Sequence, residues 1–253
     1  MLGTPVGGGV VSHDYLHGVL AVQRHFTELG WRHEIVTIPD GLVTRSRNAF
    51  ASAVVRNPDI THLLMLDADV VVHPDGVERL VRAGHDVCGA VVALRQIGWQ
   101  RVREHLDECP DATAADLRSI ANEYAVQMLP GQRRVDGFVP VRFIGSAAML
   151  ISRAALVVLS DTDQVERVEN GLPGPDGLDS GWTFFDPIVD EAGTYLSEDY
   201  AFCERWRSSG GTIWADLQTP TRHIGPVPIE GDIGRSVSAA SAAVQARRTR
   251  EGG

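Results

Sequence analysis

Two carboxylates spaced i and i+2, Asp67 and Asp69, close the apolar run Leu63-Leu64-Met65-Leu66, a pattern that carries a pair of acids out of a buried strand. In an open parallel sheet, ligands lie beyond the carboxyl ends of the strands. Two acids placed there repel each other unless a hard divalent cation sits with them, and such a cation commonly takes phosphate oxygens as its remaining ligands. A metal-bound nucleotide is therefore the first chemistry expected. A second acidic pair, Glu198-Asp199, follows Ser197, where Ser197 suits a helix cap and the acids suit the first turn of a helix dipole. A third group is Trp214 and Asp216, followed by Thr221-Arg222-His223; a lone histidine in a loop is more often structural than a metal ligand.

The elements that must hold these residues alternate between short apolar runs and segments of helical period, the signature of a parallel sheet with crossover helices. Strands are expected at 1–4, 35–38, 62–66, 87–94, 139–144, 147–151 and 212–215. Ser12 can cap a helix from 13 to about 29 that Gly30 ends, Thr44 can cap one reaching Arg56, and Pro74 opens one over 73–83. Further helices are expected at 111–124, 154–159 and 195–208. The polar stretch 101–134 reads as an excursion that walls one side of a cleft. The segment 161–181, rich in Gly, Pro and Asp, reads as a lid, a binding loop or disorder. One domain is expected over 1–230, with a nucleotide-binding half at 1–100 and a catalytic half at 101–230, and then a helical or disordered tail at 231–253.

Composition excludes several classes. No apolar run in the 253 residues approaches the roughly 20 that a membrane helix needs, and the N-terminus lacks the pattern of a signal peptide, so a cytoplasmic protein is expected. A net charge of -10 with scattered acids makes nucleic acid a poor partner. Cys88, Cys109 and Cys203 form no CxxC pair and are expected to be buried free thiols. All 23 basic residues are arginine, which rules out any Schiff-base or P-loop lysine chemistry.

The order of the parts resembles the GT-A type glycosyltransferases, particularly the family-2-like group of bacteria and phages, over roughly 2–225. The resemblance is carried by Thr4-Pro5, Thr44-Arg45-Ser46-Arg47-Asn48, the run ending in Asp67-Ala68-Asp69, Phe143-Ile144-Gly145-Ser146, and Ser197-Glu198-Asp199-Tyr200-Ala201-Phe202-Cys203. It implies a GT-A fold, with a Rossmann-like, mostly parallel central sheet flanked by helices in a single domain. It also implies a nucleoside-diphosphate sugar as donor, a small-molecule or glycan acceptor, and a bound Mn²⁺ or Mg²⁺. Asp69 would bind the metal directly and Asp67 would contact the ribose or reach the metal through water. His223 matches a late histidine that completes such metal sites, and a histidine nitrogen favours manganese. Thr4 and Pro5 would lie by the nucleotide base, and Arg45 and Arg47 by the nucleotide or diphosphate. Asp199 would be the base of an inverting transfer, with Glu198 second; a retaining enzyme needs no base. The lysine-containing stretch of the family is replaced by Ala93-Leu94-Arg95, where Arg95 can take over. Trp99, Trp182 and Trp214 offer faces for an acceptor, and Trp214 with Asp216 is the acceptor-side expectation.

Two alternatives stand beside this reading. A haloacid-dehalogenase-like phosphatase would use Asp67 as a covalent nucleophile, although such enzymes normally use a downstream lysine and an earlier strand. A non-catalytic sugar-nucleotide or glycan-binding module would hold the same metal without turnover. A sugar-phosphate nucleotidylyltransferase is excluded, because Gly7-Gly8-Gly9 is not followed by the required arginine and lysine.

Overall fold

The structure is a computed structural model, and it describes residues 1–173, 180–226 and 233–234. The elements in order are β1 (Leu2–Pro5), α1 (His13–Glu28), β2 (Ile35–Ile38), α2 (Val43–Arg56), β3 (His62–Leu66), β4 (Val70–Val72), α3 (Pro74–Arg82) and β5 (Val87–Ala90). They continue with α4 (Trp99–Glu108), α5 (Ala114–Ile120), β6 (Val126–Met128), β7 (Phe138–Ile144), β8 (Ala148–Ser152), α6 (Arg153–Ser160) and the two-residue strands β9 (Arg167–Val168), β10 (Gly181–Trp182), β11 (Ile188–Val189) and β12 (Tyr195–Leu196). The last are α7 (Glu198–Ser208), β13 (Ile213–Asp216) and β14 (Thr221–His223).

One sheet in the order β2-β1-β3-β8-β5-β13-β7-β6 unites strands from both halves of the chain. Strands β1, β2 and β3 pair in parallel, as do β5 and β13, whereas β8 runs against both β3 and β5, and β7 runs against β13 and β6. Only β8 and β7 therefore oppose the common direction of the sheet. Helices cover both faces, which explains why β3 is apolar from Leu63 to Leu66: Leu63 and Met65 face the layer of α2, α6 and α7, while Leu64 and Leu66 face the layer of α1 and α3. This is a Rossmann-like α/β architecture.

Ser12 caps α1 by accepting the Tyr15 amide at 3.0 Å, and Gly30 at φ +68° leaves the helix in the left-handed region open to glycine. Other boundaries differ from the sequence expectation. Leu42, not Thr44, is the N-cap of α2, and Asp40 holds the entry by accepting the Leu42 amide at 2.8 Å. The helix expected at 111–124 is shorter, α5 at Ala114–Ile120, where Thr113 forms a capping box with Asp116, and α4 at Trp99–Glu108 is a further helix beyond those expected. Residues Tyr195–Leu196 pair with β11 instead of opening α7. The regular part of β5 ends at Ala90, and the chain then bridges to Tyr124 through Ala93. Cys88 and Cys203 are buried free thiols, each pushed up to about 12 by desolvation, but Cys109 is exposed. No helix among the described residues is long and apolar enough to cross a membrane. The expected tail at 231–253 falls outside the described residues apart from 233–234, as does 174–179 of the expected loop.

Candidate active site

The Asp67-Ala68-Asp69 segment is a tight turn, closed by the Val70 amide on the Asp67 carbonyl at 3.0 Å. Three other parts of the chain grip its backbone. The Asp67 amide donates to the Ala147 carbonyl at 3.0 Å, the Ser12 amide to Ala68 at 2.9 Å, and the Ile224 amide to Asp69 at 2.7 Å. Each neighbour thereby brings its own side chains to the carboxyl edge of β3: the start of α1, the β7–β8 turn at Gly145-Ser146, and the end of β14.

Asp69 faces two cationic or potentially cationic partners. Arg95 Nη1 donates to Asp69 Oδ2 at 3.0 Å, and His223 Nε2 lies 3.4 Å from the same oxygen. His223 Nδ1 lies 2.8 Å from the Ala93 carbonyl, an acceptor, so Nδ1 carries the proton and Nε2 is the nitrogen turned to Asp69. The hydrogen bond from His223 is the main cause holding the Asp69 carboxyl below its ordinary range, and the same contact raises the His223 pKa. A neutral imidazole would aim a lone pair at a carboxylate oxygen, which is stable only with a proton or a cation between the two. Asp69 and His223 can therefore hold a metal ion as two donors, with the backbone carbonyl orienting the ring. Among the described residues no third acidic, histidine or cysteine side chain joins them, so any further ligands must come from substrate and water.

Asp67 turns to α2. Arg47 is buried in that helix, and its Nη2 donates to Asp67 Oδ1 at 2.9 Å while its Nε lies 3.8 Å from Glu198 Oε1, within ion-pair range but too far for a hydrogen bond. Arg47 thus links the first acidic pair to the second. Among the described residues, its Nε and Nη1, with the hydroxyls of Ser46 and Ser146, are buried without hydrogen-bond partners. Glu198 is raised above the ordinary carboxyl range, first by burial and then by Asp199, with Arg47 opposing. Ser197 is the N-cap residue of α7, yet its hydroxyl bonds Asp199 Oδ1 instead of a backbone amide. The Tyr200 amide donates to that same oxygen at 2.8 Å. Asp199 Oδ2 makes no hydrogen bond among the described residues and lies 3.5 Å from where a Cβ on Gly145 would stand, an ordinary contact distance, while the tight neighbour of that glycine is Ala125 Cβ at 2.9 Å.

The remaining expected residues divide between edge and scaffold. The Thr4 hydroxyl is buried and shares a 2.6 Å hydrogen bond with Tyr15, and Pro5 is buried beside it, so this strand end offers no free hydroxyl. Arg45 bonds the Gly171 carbonyl at 2.8 Å and pairs with Asp40 at 3.4 Å at the end of β2. Trp214 stacks on His85 at 4.2 Å on the α3 side of the sheet. The Asp216 carboxylate is taken up by Arg79 at 3.0 Å and by the Thr219 hydroxyl at 2.6 Å, where it ties α3 to the sheet. The structure thus brings Asp67, Asp69, His223, Arg47, Glu198 and Asp199 together, and it leaves Trp214 and Asp216 in structural contacts. A cleft of about 530 Å³ opens between Val91, Ala93, Tyr124, Asp216, Thr219 and Thr221, so Asp216 lines it even though its carboxylate is held by Arg79 and Thr219. Arg95 as a partner of Asp69, Asp40 and Ser146 carry little sequence signal, because each sits in a turn that composition alone explains.

No family model matches the chain, and no curated sequence matches it. Among solved structures the chain is similar to A197 from STIV, with 14% sequence identity and a TM-score of 0.46 over 89% of this chain and 86% of that one.

Proposed function

We propose that the chain is a metal-dependent glycosyltransferase that moves a sugar from a nucleoside-diphosphate sugar to a hydroxyl of a small-molecule or glycan acceptor. The observation that supports it most is the oriented Asp69–His223 donor pair at the carboxyl edge of β3, with Arg47 linking the adjacent Asp67 to the Glu198-Asp199 pair.

The donor set suits Mn²⁺ or Mg²⁺ held by Asp69 and His223, with the histidine favouring manganese and diphosphate oxygens filling the remaining positions. Bound there, the ion supplies Lewis-acid stabilisation of the negative charge that develops on the departing nucleoside diphosphate. Asp67 is held by Arg47, so it acts toward the ribose or through water instead of as a direct ligand. Asp199 takes the proton of the acceptor hydroxyl on Oδ2, because Ser197 and Tyr200 fix the carboxylate through Oδ1 alone. Burial, and then the neighbouring Asp199, raise the Glu198 pKa above the ordinary carboxyl range, with Arg47 opposing, so Glu198 is the second candidate for this role. Thr4, Pro5 and Arg45 border the nucleotide side, and the cleft beside Tyr124 accommodates the acceptor. A phosphatase with Asp67 as nucleophile is less well supported, since Arg47 already occupies one oxygen of that carboxylate.

The test is a thermal-shift panel of UDP-, GDP- and dTDP-sugars with and without Mn²⁺, followed by nucleoside diphosphate release with the best donor. Asp69→Ala should lose metal-dependent donor binding and turnover together, while Asp199→Asn should keep binding and lose transfer by about a hundredfold or more. Wild-type turnover in Asp69→Ala overturns the proposal. Donor binding that persists with no turnover under any condition favours a binding module.

A further inference from the structure

We propose that Arg95 is the built-in counterion of the diphosphate site, neutralising Asp69 while no divalent ion is bound and passing to the donor's phosphate oxygens when the ion takes Asp69. The inference rests on the metal and diphosphate reading of the site given above.

Three observations carry it. First, Arg95 and His223 converge on a single carboxylate oxygen, Asp69 Oδ2, at 3.0 and 3.4 Å. An ion that binds this oxygen meets the guanidinium at contact distance, and like charges that close cannot both remain. Second, Arg95 has somewhere to go. Its side chain is 50% exposed, and among the described residues it bonds Asp69 through Nη1 alone, so its other guanidinium nitrogens have no hydrogen-bond partner among those residues and can face a ligand above the strand end. A guanidinium fork matches phosphate oxygens well, and the chain has no lysine for the task. Third, the side chain is positioned from below. Its stem lies across Gly225, where any Cβ would overlap Arg95 Cδ, while the neighbouring Ile224 amide fixes that segment to the Asp69 carbonyl at 2.7 Å. Gly225 is thus a positioning residue that lets Arg95 reach Asp69.

Exchange of partners makes binding of the ion and of the diphosphate cooperative. An ion arriving alone must displace Arg95 into water, whereas one arriving with a diphosphate hands Arg95 a new anionic partner. By linkage each ligand then favours the other through the protein.

The experiment uses the full chain after chelator treatment. The free Mn²⁺ signal in electron paramagnetic resonance gives the affinity for Mn²⁺ alone, and calorimetry gives the affinity for preformed manganese–pyrophosphate. Arg95→Ala should bind Mn²⁺ alone about three- to fivefold more tightly, the size of a partly exposed ion pair removed, and manganese–pyrophosphate about three- to tenfold more weakly. Gly225→Ala, which keeps every charge but dislodges Arg95, should also tighten Mn²⁺ binding. Arg101→Ala, which removes a nearby charge that does not touch Asp69, should change neither. If Arg95→Ala does not fold, Arg95→Gln keeps the stem and gives the same readings. Unchanged Mn²⁺ affinity in the Arg95 and Gly225 variants overturns the proposal and leaves the site's assignment standing, as does an effect in Arg95→Ala that Gly225→Ala does not share. Failure of the wild-type chain to bind either probe removes both.

Discussion

Replacement of Arg47 by methionine tests whether one buried guanidinium holds the two acidic pairs together. The substitution keeps much of the apolar stem within α2 and deletes the charge between Asp67 and Glu198. A charge-assisted hydrogen bond of the Arg47–Asp67 kind contributes about 1.5–3 kcal/mol, and removing one partner of a buried pair typically costs about 3–5 kcal/mol. Asp67 and Glu198 are 26% and 21% exposed, so water recovers part of that loss, and the two Arg47 nitrogens without partners cost the wild type something already. The expected destabilisation is about 2–3 kcal/mol by urea unfolding. Its pH dependence is the sharper signature. Glu198 has a raised pKa because of burial first and Asp199 second, and Arg47 is the charge that pulls it back. A carboxyl whose folded pKa exceeds its unfolded value contributes stability at low pH that is lost as pH rises through the folded pKa. Without Arg47 the folded value climbs further, so the destabilisation is larger at about pH 8 than at about pH 5. A loss below about 1 kcal/mol, or an equal loss at both pH values, would refute the reasoning.

Two further measurements address the site and its scaffold. In chelator-treated protein the His223 ring resonances should titrate above the ordinary histidine value of 6.5, because Asp69 and then the Ala93 carbonyl favour the charged ring, and Asp69→Asn should bring the midpoint down. The stability this pair contributes is present below the ordinary histidine pKa and lost as pH rises through the raised one; on the acid side it is lost as pH falls through the lowered Asp69 value, so a midpoint below 6.5 contradicts the contact. Gly211→Ala should destabilise by about 1–3 kcal/mol, since a Cβ there overlaps the Trp206 indole, and a urea midpoint within error of wild type would show that the ring has room to move.

Much of the frame was legible in the sequence because its signals are local. The run His62–Leu66 and the strand Ile35–Ile38 have the expected bounds, and Ser12 and Gly30 delimit α1 through capping chemistry confined to one turn. The placing of Asp67 and Asp69 at a strand end follows from the same local pattern. Partner choice is not local. A strand apolar on both faces reads alike whether it runs parallel or antiparallel, so nothing in Ala148–Ser152 declares that it inserts between β3 and β5 against their direction. The expected helix at 111–124 is trimmed at both ends, because Thr113 caps α5 at its start and Tyr124 pairs with Ala93 beyond its end.

The functional edge divides in the same way. The sequence by itself determined which acids and histidine are present, that no lysine is available, and that the first acidic pair leaves a buried strand. Only the tertiary structure decided their electrostatic partners: Arg47 buried as the bridge to Glu198, Arg95 laid over Gly225 onto Asp69, and the His223 ring set by a carbonyl 130 residues away in the chain. It also decided that Trp214 and Asp216 pack against His85 and Arg79. The physical reason is that composition records a residue's charge and shape, whereas the interaction energy of a charge depends on burial and distance, and these exist only once segments remote in sequence have met.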